Sequence, residues 1–124
     1  MTGMTLAEAS AHLTTTDARF ALDTANVRGT EYRVFKNAPA HLRALMQISR
    51  AAHGDGQNEY LVYQNERWTY GAFCTDVCKM AHILQHELGV KQGDRVALAM
   101  RNFPELPILM MAITSIGAVV VFLN

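Results

Sequence analysis

The chain has 124 residues, half of them hydrophobic, with eleven basic and eleven acidic side chains and a formal net charge of zero. This length fits one small domain, and the hydrophobic content favours a packed fold over disorder. The charge balance argues against a nucleic-acid-binding surface or a polybasic membrane-surface patch, because both need excess positive charge.

The cysteines and the first residues predict the compartment. Cys74 and Cys78 are too few for a disulfide scaffold and indicate a reducing environment. The first residues, MTGMTLAEASAHLTTT, lack the basic stretch and long apolar run of a signal peptide. We therefore expect a cytoplasmic protein. We find no internal repeat, low-complexity tract or linker, so residues 1–124 are expected to form one unit without a second domain.

Local patterns in the first half of the chain predict two helices and a hairpin. The capping-box pattern at Thr5 predicts a short helix through Leu13, where three threonines interrupt it. Gly29 separates two short extended stretches, which predicts a β-hairpin. Asn37 precedes a proline and is predicted to cap a second helix, which the segment 53–56 (HGDG) ends.

The second half begins with another predicted hairpin, residues 60–63 and 67–69. Thr69 is the predicted N-cap of the longest helix, and Gly89 follows its end with Val90 folding back on Leu84. One apolar stripe at three- and four-residue spacing runs along this helix, comprising Phe73, Val77, Met80, Ala81, Leu84 and Leu88.

A strand and a helix are predicted next. Residues 95–100 (RVALAM) are apolar on both faces, which is typical of a strand buried on both sides. A helix over residues 105–116 is predicted to begin with Asn102 as its cap, and Pro107 should fray or kink its first turn.

The uncharged tail from Leu106 to Leu123 has two possible interpretations. It is long enough to suggest a membrane span. Against a span, Pro107 and Gly117 interrupt it, helix-favouring residues give way to strand-favouring residues after Gly117, and no charged or aromatic anchor follows Leu123. We favour a βαβ crossover, in which strand 95–100 pairs in parallel with strand 118–123 and helix 105–116 covers one face.

A parallel pair of strands needs neighbours on both sides, because its backbone donors and acceptors must find partners. We therefore expect these residues to be the front of a longer domain, with an incomplete sheet and an exposed apolar edge.

Four short sequence motifs follow one another in the second half of the chain. They are Thr69-Tyr70, Gly89-Val90 with Gly93-Asp94-Arg95-Val96-Ala97, Asn102 with Glu105, and Gly117-Ala118 through Asn124. Their order and spacing resemble the start of the class I adenylate-forming superfamily, and the upstream segment EYRVFKNAPAHLRAL resembles its acyl-CoA synthetase branch. One departure is that Ala72-Phe73 stands where the family usually has Glu-Leu, which leaves the Thr69 capping box without its acid.

The resemblance implies an α/β fold: the N-terminal portion of an adenylate-forming large domain, with β-hairpins followed by a parallel βαβ unit. It also implies that the whole protein uses ATP and Mg²⁺ to convert a carboxylic acid, expected to be a fatty or related acid, to an acyl-adenylate. Coenzyme A would then accept the acyl group.

The catalytic motifs of the resembled family lie downstream of these blocks, and no glycine-rich phosphate loop occurs here. We therefore assign no catalytic, cofactor-binding or metal-binding residue, and we expect residues 1–124 alone to be inactive. The alternatives are another branch of adenylate-forming ligases or a small non-enzymatic protein anchored in a membrane by its apolar tail.

The sharpest competing hypothesis is a metal site on the longest helix. Cys74, Cys78, His82 and His86 follow one another every four residues, and these residue types are preferred zinc ligands. The first and last would lie about 18 Å apart along the helix axis, too far for one ion to bind all four. We therefore favour buried or solvated side chains without a metal.

Three further groups are expected to be structural. The aromatic residues Tyr60, Tyr63, Trp68 and Tyr70 have no basic groove beside them in the sequence, so cross-strand packing is favoured over base stacking. Met110-Met111 is expected to fill the core, and Arg95 and Arg101 are expected to be solvated or paired.

Overall fold

The computed structural model describes residues 3–53 and 57–123, and the chain divides into two compact units, residues 1–39 and 40–124. The first unit comprises helix α1 (Leu6–Thr16), a short 3₁₀ helix (Ala18–Phe20) and strands β1 (Leu22–Val27) and β2 (Thr30–Phe35). None of the described residues of this unit is buried. Its structure therefore depends mainly on local hydrogen bonds and turn geometry.

Helix α1 begins at the predicted capping box but ends later than predicted. The Glu8 amide donates to the Thr5 hydroxyl at 3.3 Å, and the Thr5 amide donates to the Glu8 carboxylate at 2.8 Å. The Thr5 amide and the Thr5 hydroxyl both donate to the Glu8 carboxylate, and these two bonds lower the pKa of Glu8. The predicted end at Leu13 is wrong, because the hydroxyls of the next three threonines donate to carbonyls one turn back and the helix continues through Thr16.

The first hairpin is confirmed. Strands β1 and β2 pair antiparallel, with Leu22 opposite Phe35 and Val27 opposite Thr30. The connecting residues are Arg28 and Gly29, which have φ angles of 53° and 86°. Two consecutive positive φ angles define the two-residue hairpin turn whose twist matches that of the strands.

The predicted helix cap at Asn37 is wrong. Its side-chain amide donates to the carbonyl of Ala18 at 2.7 Å instead. Helix α2 (Leu42–Ala52) begins after His41, whose Nδ1 accepts a hydrogen bond from the Ala44 amide at 3.0 Å. Of the segment predicted to end this helix, residues 54–56 lie outside the described residues.

The second unit continues with strands β3 (Glu59–Tyr63) and β4 (Glu66–Thr69) and helix α3 (Tyr70–His86). The two strands form the second predicted hairpin, which is confirmed. Thr69 is the N-cap of α3, as predicted, since its hydroxyl accepts a hydrogen bond from the Ala72 amide at 3.1 Å.

The predicted parallel βαβ unit is confirmed. It consists of strand β5 (Arg95–Leu98), helix α4 (Glu105–Ser115) and strand β6 (Val119–Phe122). The two strands are parallel, with Arg95 opposite Val119 and Leu98 opposite Phe122. Across the described ranges, we find no helix with the length and apolar content that a bilayer crossing requires.

The start of α4 differs from the prediction. Asn102 does not cap it; Pro104 occupies the N-cap position, and no side chain there accepts a hydrogen bond from the first turn. Pro107 lies in the first turn, where a backbone N–H would have no acceptor within the helix. The helix therefore runs through the proline to Ser115.

The core of the second unit lies between α3, α4 and one face of the β5–β6 pair. Its buried residues are Phe73, Val77, Leu84, Leu98, Ile108, Met111, Ala112, Ile113 and Ala118. Two predictions need correction. Leu88 is 67% exposed because α3 ends two residues before it. Strand β5 is buried on one face only, since Val96 and Leu98 are partly or fully buried while the alternating residues 95 and 97 are exposed.

Gly117 connects α4 to β6 at a position that favours glycine. Its φ is +80°, and an added Cβ would lie 2.9 Å from Cγ of Gln92. Gly93 also has a positive φ, +88°, but a Cβ there would meet open space. Alanine substitutions at the two positions therefore distinguish the cost of backbone strain, which both share, from the cost of steric overlap, which arises only at Gly117.

We expect Gly93→Ala to lower the free energy of unfolding by about 1–2 kcal/mol, the cost of a left-handed alanine. Gly117→Ala should cost more, because the Gln92 side chain must also move. Urea unfolding of the full-length gene product measures both losses. Adding Gln92→Ala to Gly117→Ala should remove the excess, and equal losses at the two glycines would contradict this account.

Candidate functional site

The motif glycines form the connections of the βαβ unit. Gly89 has a φ of +68° in the turn that follows α3, and beyond it the amide of Val90 donates to the carbonyl of Leu84 at 2.8 Å. The Gly93 amide donates to the carbonyl of Gly117 at 2.9 Å. Each glycine stands two residues before a strand, so this bond ties the segment that leads into β5 to the segment that leads into β6.

Asp94 is the acidic residue of the same motif, and its oxygen atoms accept backbone hydrogen bonds. Its carboxylate accepts from the Lys91 amide at 2.8 Å, and its carbonyl accepts from the Val119 amide at 2.7 Å. The first bond closes the turn, and the second begins the parallel pairing. Both bonds give Asp94 a structural role at the start of the βαβ unit.

The carboxyl ends of β5 and β6 meet at one edge of the sheet, where the Leu123 amide donates to the carbonyl of Leu98 at 2.9 Å. Open α/β sheets bind ligands outside this edge. A cavity of about 240 Å³ lies between β3 and the segment after β5, where the rings of Tyr63 and Phe103 meet edge to face at 5.9 Å. Its mostly apolar lining suits an apolar group.

Four rings form a packed series beside the core. The His53 and Tyr70 rings stack with centroids 4.3 Å apart, and Tyr60 contacts both Tyr70 at 4.7 Å and Phe73 at 4.4 Å. Partial burial is the main cause that raises the pKa of Tyr60. The rings stack on one another and on the core.

The cysteines and histidines of α3 do not form one cluster. Cys74 is buried, Cys78 is exposed, and the rings of His82 and His86 lie 4.4 Å apart. Within residues 3–53 and 57–123, side chains of His, Cys, Asp and Glu do not come together in groups of three that could hold a metal ion. The described residues therefore offer no site that fits Mg²⁺ or Zn²⁺, and the expectation of no metal ligand stays a prediction.

The predicted role of Met110-Met111 is confirmed, since Met111 is buried in the core and Met110 packs against it. Arg95 and Arg101 both lie on the surface, as expected for solvated side chains.

A groove of about 480 Å³ lies between α2, α3 and the end of α4. Arg43 and Arg50 line its α2 side, and Cys74, Cys78 and His82 line its α3 side. Sequence reasoning missed both arginines. Their seven-residue spacing, which places them on one face of α2, was the signal that could have found them.

The elements of the second unit define a class of α/β protein, built on a hairpin, two packed helices and a parallel βαβ crossover. The family described as AMP-binding enzyme matches residues 48–124. The chain belongs to this family.

The matching relatives are much longer than this chain. Acetyl-coenzyme A synthetase 1 of Kluyveromyces lactis is 48% identical over 51 residues, which are 41% of this chain and 7% of the relative. Acetyl-coenzyme A synthetase of Sinorhizobium medicae is 42% identical over 75 residues, which are 55% of this chain and 11% of the relative. The chain therefore spans about a tenth of the length of these curated relatives.

Solved structures support the fold. The N-terminal subdomain of NpsA from Klebsiella oxytoca matches with a TM-score of 0.62 and 27% identity, covering 68% of this chain and 21% of that chain. A mutant form of coronafacic acid ligase from Pectobacterium brasiliense has the same TM-score at 23% identity, covering 68% of this chain and 16% of that chain, and shows the fold alone. The predicted fold, the N-terminal part of an adenylate-forming enzyme, is confirmed.

Proposed function

We propose that the full-length gene product is an AMP-forming acyl-CoA synthetase. Its first step would join a carboxylic acid to ATP, forming an acyl-adenylate and releasing pyrophosphate. Its second would transfer the acyl group to the thiol of coenzyme A and release AMP. The family match over residues 48–124, together with relatives named acetyl-coenzyme A synthetase, is the observation that carries this proposal.

ATP, Mg²⁺ and coenzyme A enter only as requirements of the proposed reaction. The described residues contain neither a glycine-rich phosphate loop nor a cluster of metal ligands. We accordingly propose no catalytic, cofactor-binding or metal-binding residue within this chain. Its contribution would be to build and position the start of the sheet on which the remaining domain packs.

The proposed substrate is a carboxylic acid of the fatty or related class. Because the named relatives are acetyl-coenzyme A synthetases, the series of acids to be tested begins with acetate. A cytoplasmic location is part of the proposal, and the cysteine content supports it, since two cysteines are too few for the disulfide scaffold typical of small secreted domains.

The test measures the two steps separately in the full-length gene product. Exchange of labelled pyrophosphate into ATP reports the adenylate, and AMP release on addition of coenzyme A reports thioester formation. A series from acetate to palmitate identifies the acid. We expect both signals with at least one acid, and neither signal from residues 1–124 expressed alone.

The controls separate the alternatives. Omitting the acid should abolish exchange, and omitting coenzyme A should leave exchange intact while suppressing AMP release. Exchange without any coenzyme A-dependent step would place the protein in another branch of adenylate-forming ligases. Absence of exchange with every acid, from a correctly folded protein, would overturn the proposal.

A further inference from the structure

The groove between α2, α3 and the end of α4 is built from two continuous helix faces. On α2, Arg43, Met46, Gln47 and Arg50 follow the spacing i, i+3, i+4, i+7, which places them along one side of the helix. On α3, the lining residues from Cys74 to Gln85 follow the same three- and four-residue pattern. The groove therefore belongs to regular secondary structure, and its lining is held by packed helices.

The charged side chains that line this groove, among the described residues, are arginines. Arg43 and Arg50 line it, and its described lining residues include no aspartate or glutamate. Within the described part of the chain, neither arginine has a carboxylate partner within 4.0 Å. Arg50 lies close enough to Cys74 that its positive charge opposes the increase in the thiol pKa that burial causes.

The floor of the groove is apolar. Met46 of α2, Ala81 of α3 and Ile116 at the end of α4 are all partly buried against the core. A volume of about 480 Å³ falls within the size range of small-molecule sites. Such sites combine an apolar surface with a few fixed polar groups, and a guanidinium is suited to pairing with a carboxylate or phosphate.

We propose that this groove binds a small amphipathic organic anion. Its anionic group pairs with the guanidinium of Arg50 or Arg43, and its apolar part lies on Met46, Ala81 and Ile116. The inference rests on the positive charges of Arg43 and Arg50, which complement an anion, and on the apolar floor of the groove. It does not depend on the acyl-CoA synthetase assignment.

Cys78 provides a reporter inside the groove, since it is exposed and lines the α3 side. Iodoacetate and iodoacetamide both alkylate a thiolate: a sulfur–carbon bond forms and iodide leaves. The first reagent is an anion and the second is neutral. Because both react with the same thiolate, the ratio of their rates cancels changes in the thiol pKa and reports the local potential.

The measurement uses the full-length gene product, with alkylation followed at the Cys78 peptide by mass spectrometry. At low salt, the combined Arg43→Gln and Arg50→Gln variant should lower the iodoacetate-to-iodoacetamide rate ratio by about threefold to fivefold. Arg67→Gln, on the second hairpin and outside the groove, is the matched control and should leave the ratio unchanged. Arg50→Lys keeps the charge and should also keep the ratio.

Binding is tested with octanoate as the probe and octanol as its uncharged counterpart. Octanoate should slow the reaction of Cys78 with iodoacetamide, octanol should not, and the double arginine variant should lose the protection. An unchanged rate ratio in a folded double variant would overturn the proposal. Equal protection by octanoate and octanol would also overturn it, since the groove would then bind apolar chains without regard to charge.

Discussion

Replacing Phe73 by alanine is expected to lower the free energy of unfolding by about 3–5 kcal/mol. The Phe73 side chain is 1% exposed and is among the largest fully buried side chains of the core. The centroid of its ring also lies 4.4 Å from the centroid of the Tyr60 ring, so the substitution removes both core packing and an aromatic contact. Denaturant unfolding of the full-length gene product measures the loss.

The matched control is Phe35→Ala, the same change at a side chain that is 51% exposed. We expect it to cost about 1 kcal/mol or less, because about half of its surface already contacts solvent. Similar losses at the two positions would show that Phe73 does not occupy the centre of the core.

Residues 1–124 produced alone are expected to self-associate. Strands β5 and β6 pair only with each other among the described residues, and their outer edges present backbone groups that can pair with another copy. Val119, Phe122 and Leu123 at this sheet are each about half exposed. Size-exclusion chromatography with light scattering should therefore show large, heterogeneous species.

Lysine at the edge should reduce this association, because charged side chains oppose strand pairing between molecules. We expect Val119→Lys combined with Phe122→Lys to shift the population towards monomer. Val27→Lys, on the first hairpin at similar exposure, should not. A monodisperse wild-type chain with a sharp, reversible thermal transition would contradict this prediction.

The features predicted correctly are those for which the local sequence allows few alternative structures. Thr69 and the capping box at Thr5 were correct because a hydroxyl beside an apolar helical pattern has a defined acceptor role. Gly29 marked a turn that needs positive φ. The parallel βαβ unit followed from a change in residue preference across Gly117, and the structure confirms it.

The errors arose where a polar side chain had more than one possible hydrogen-bond partner. Asn37 and Asn102 both looked like helix caps, but Asn37 bonds to Ala18 and Asn102 stands two residues before the cap position of α4. The groove was missed for a different reason. Arg43 and Arg50 acquire a common environment only when α2 packs beside α3, and sequence spacing alone does not show which face meets the neighbouring helix.

The hydrogen bond between Gly93 and Gly117 has a consequence for strand alignment. It aligns the residues that lead into β5 and β6, and this alignment does not depend on side-chain contacts between the two strands. If either strand slipped by one residue, its own valine, Val96 in β5 or Val120 in β6, would turn away from the hydrophobic interior, because successive side chains alternate between faces. The backbone hydrogen bond between these two glycines therefore helps to determine which valine side chains are buried.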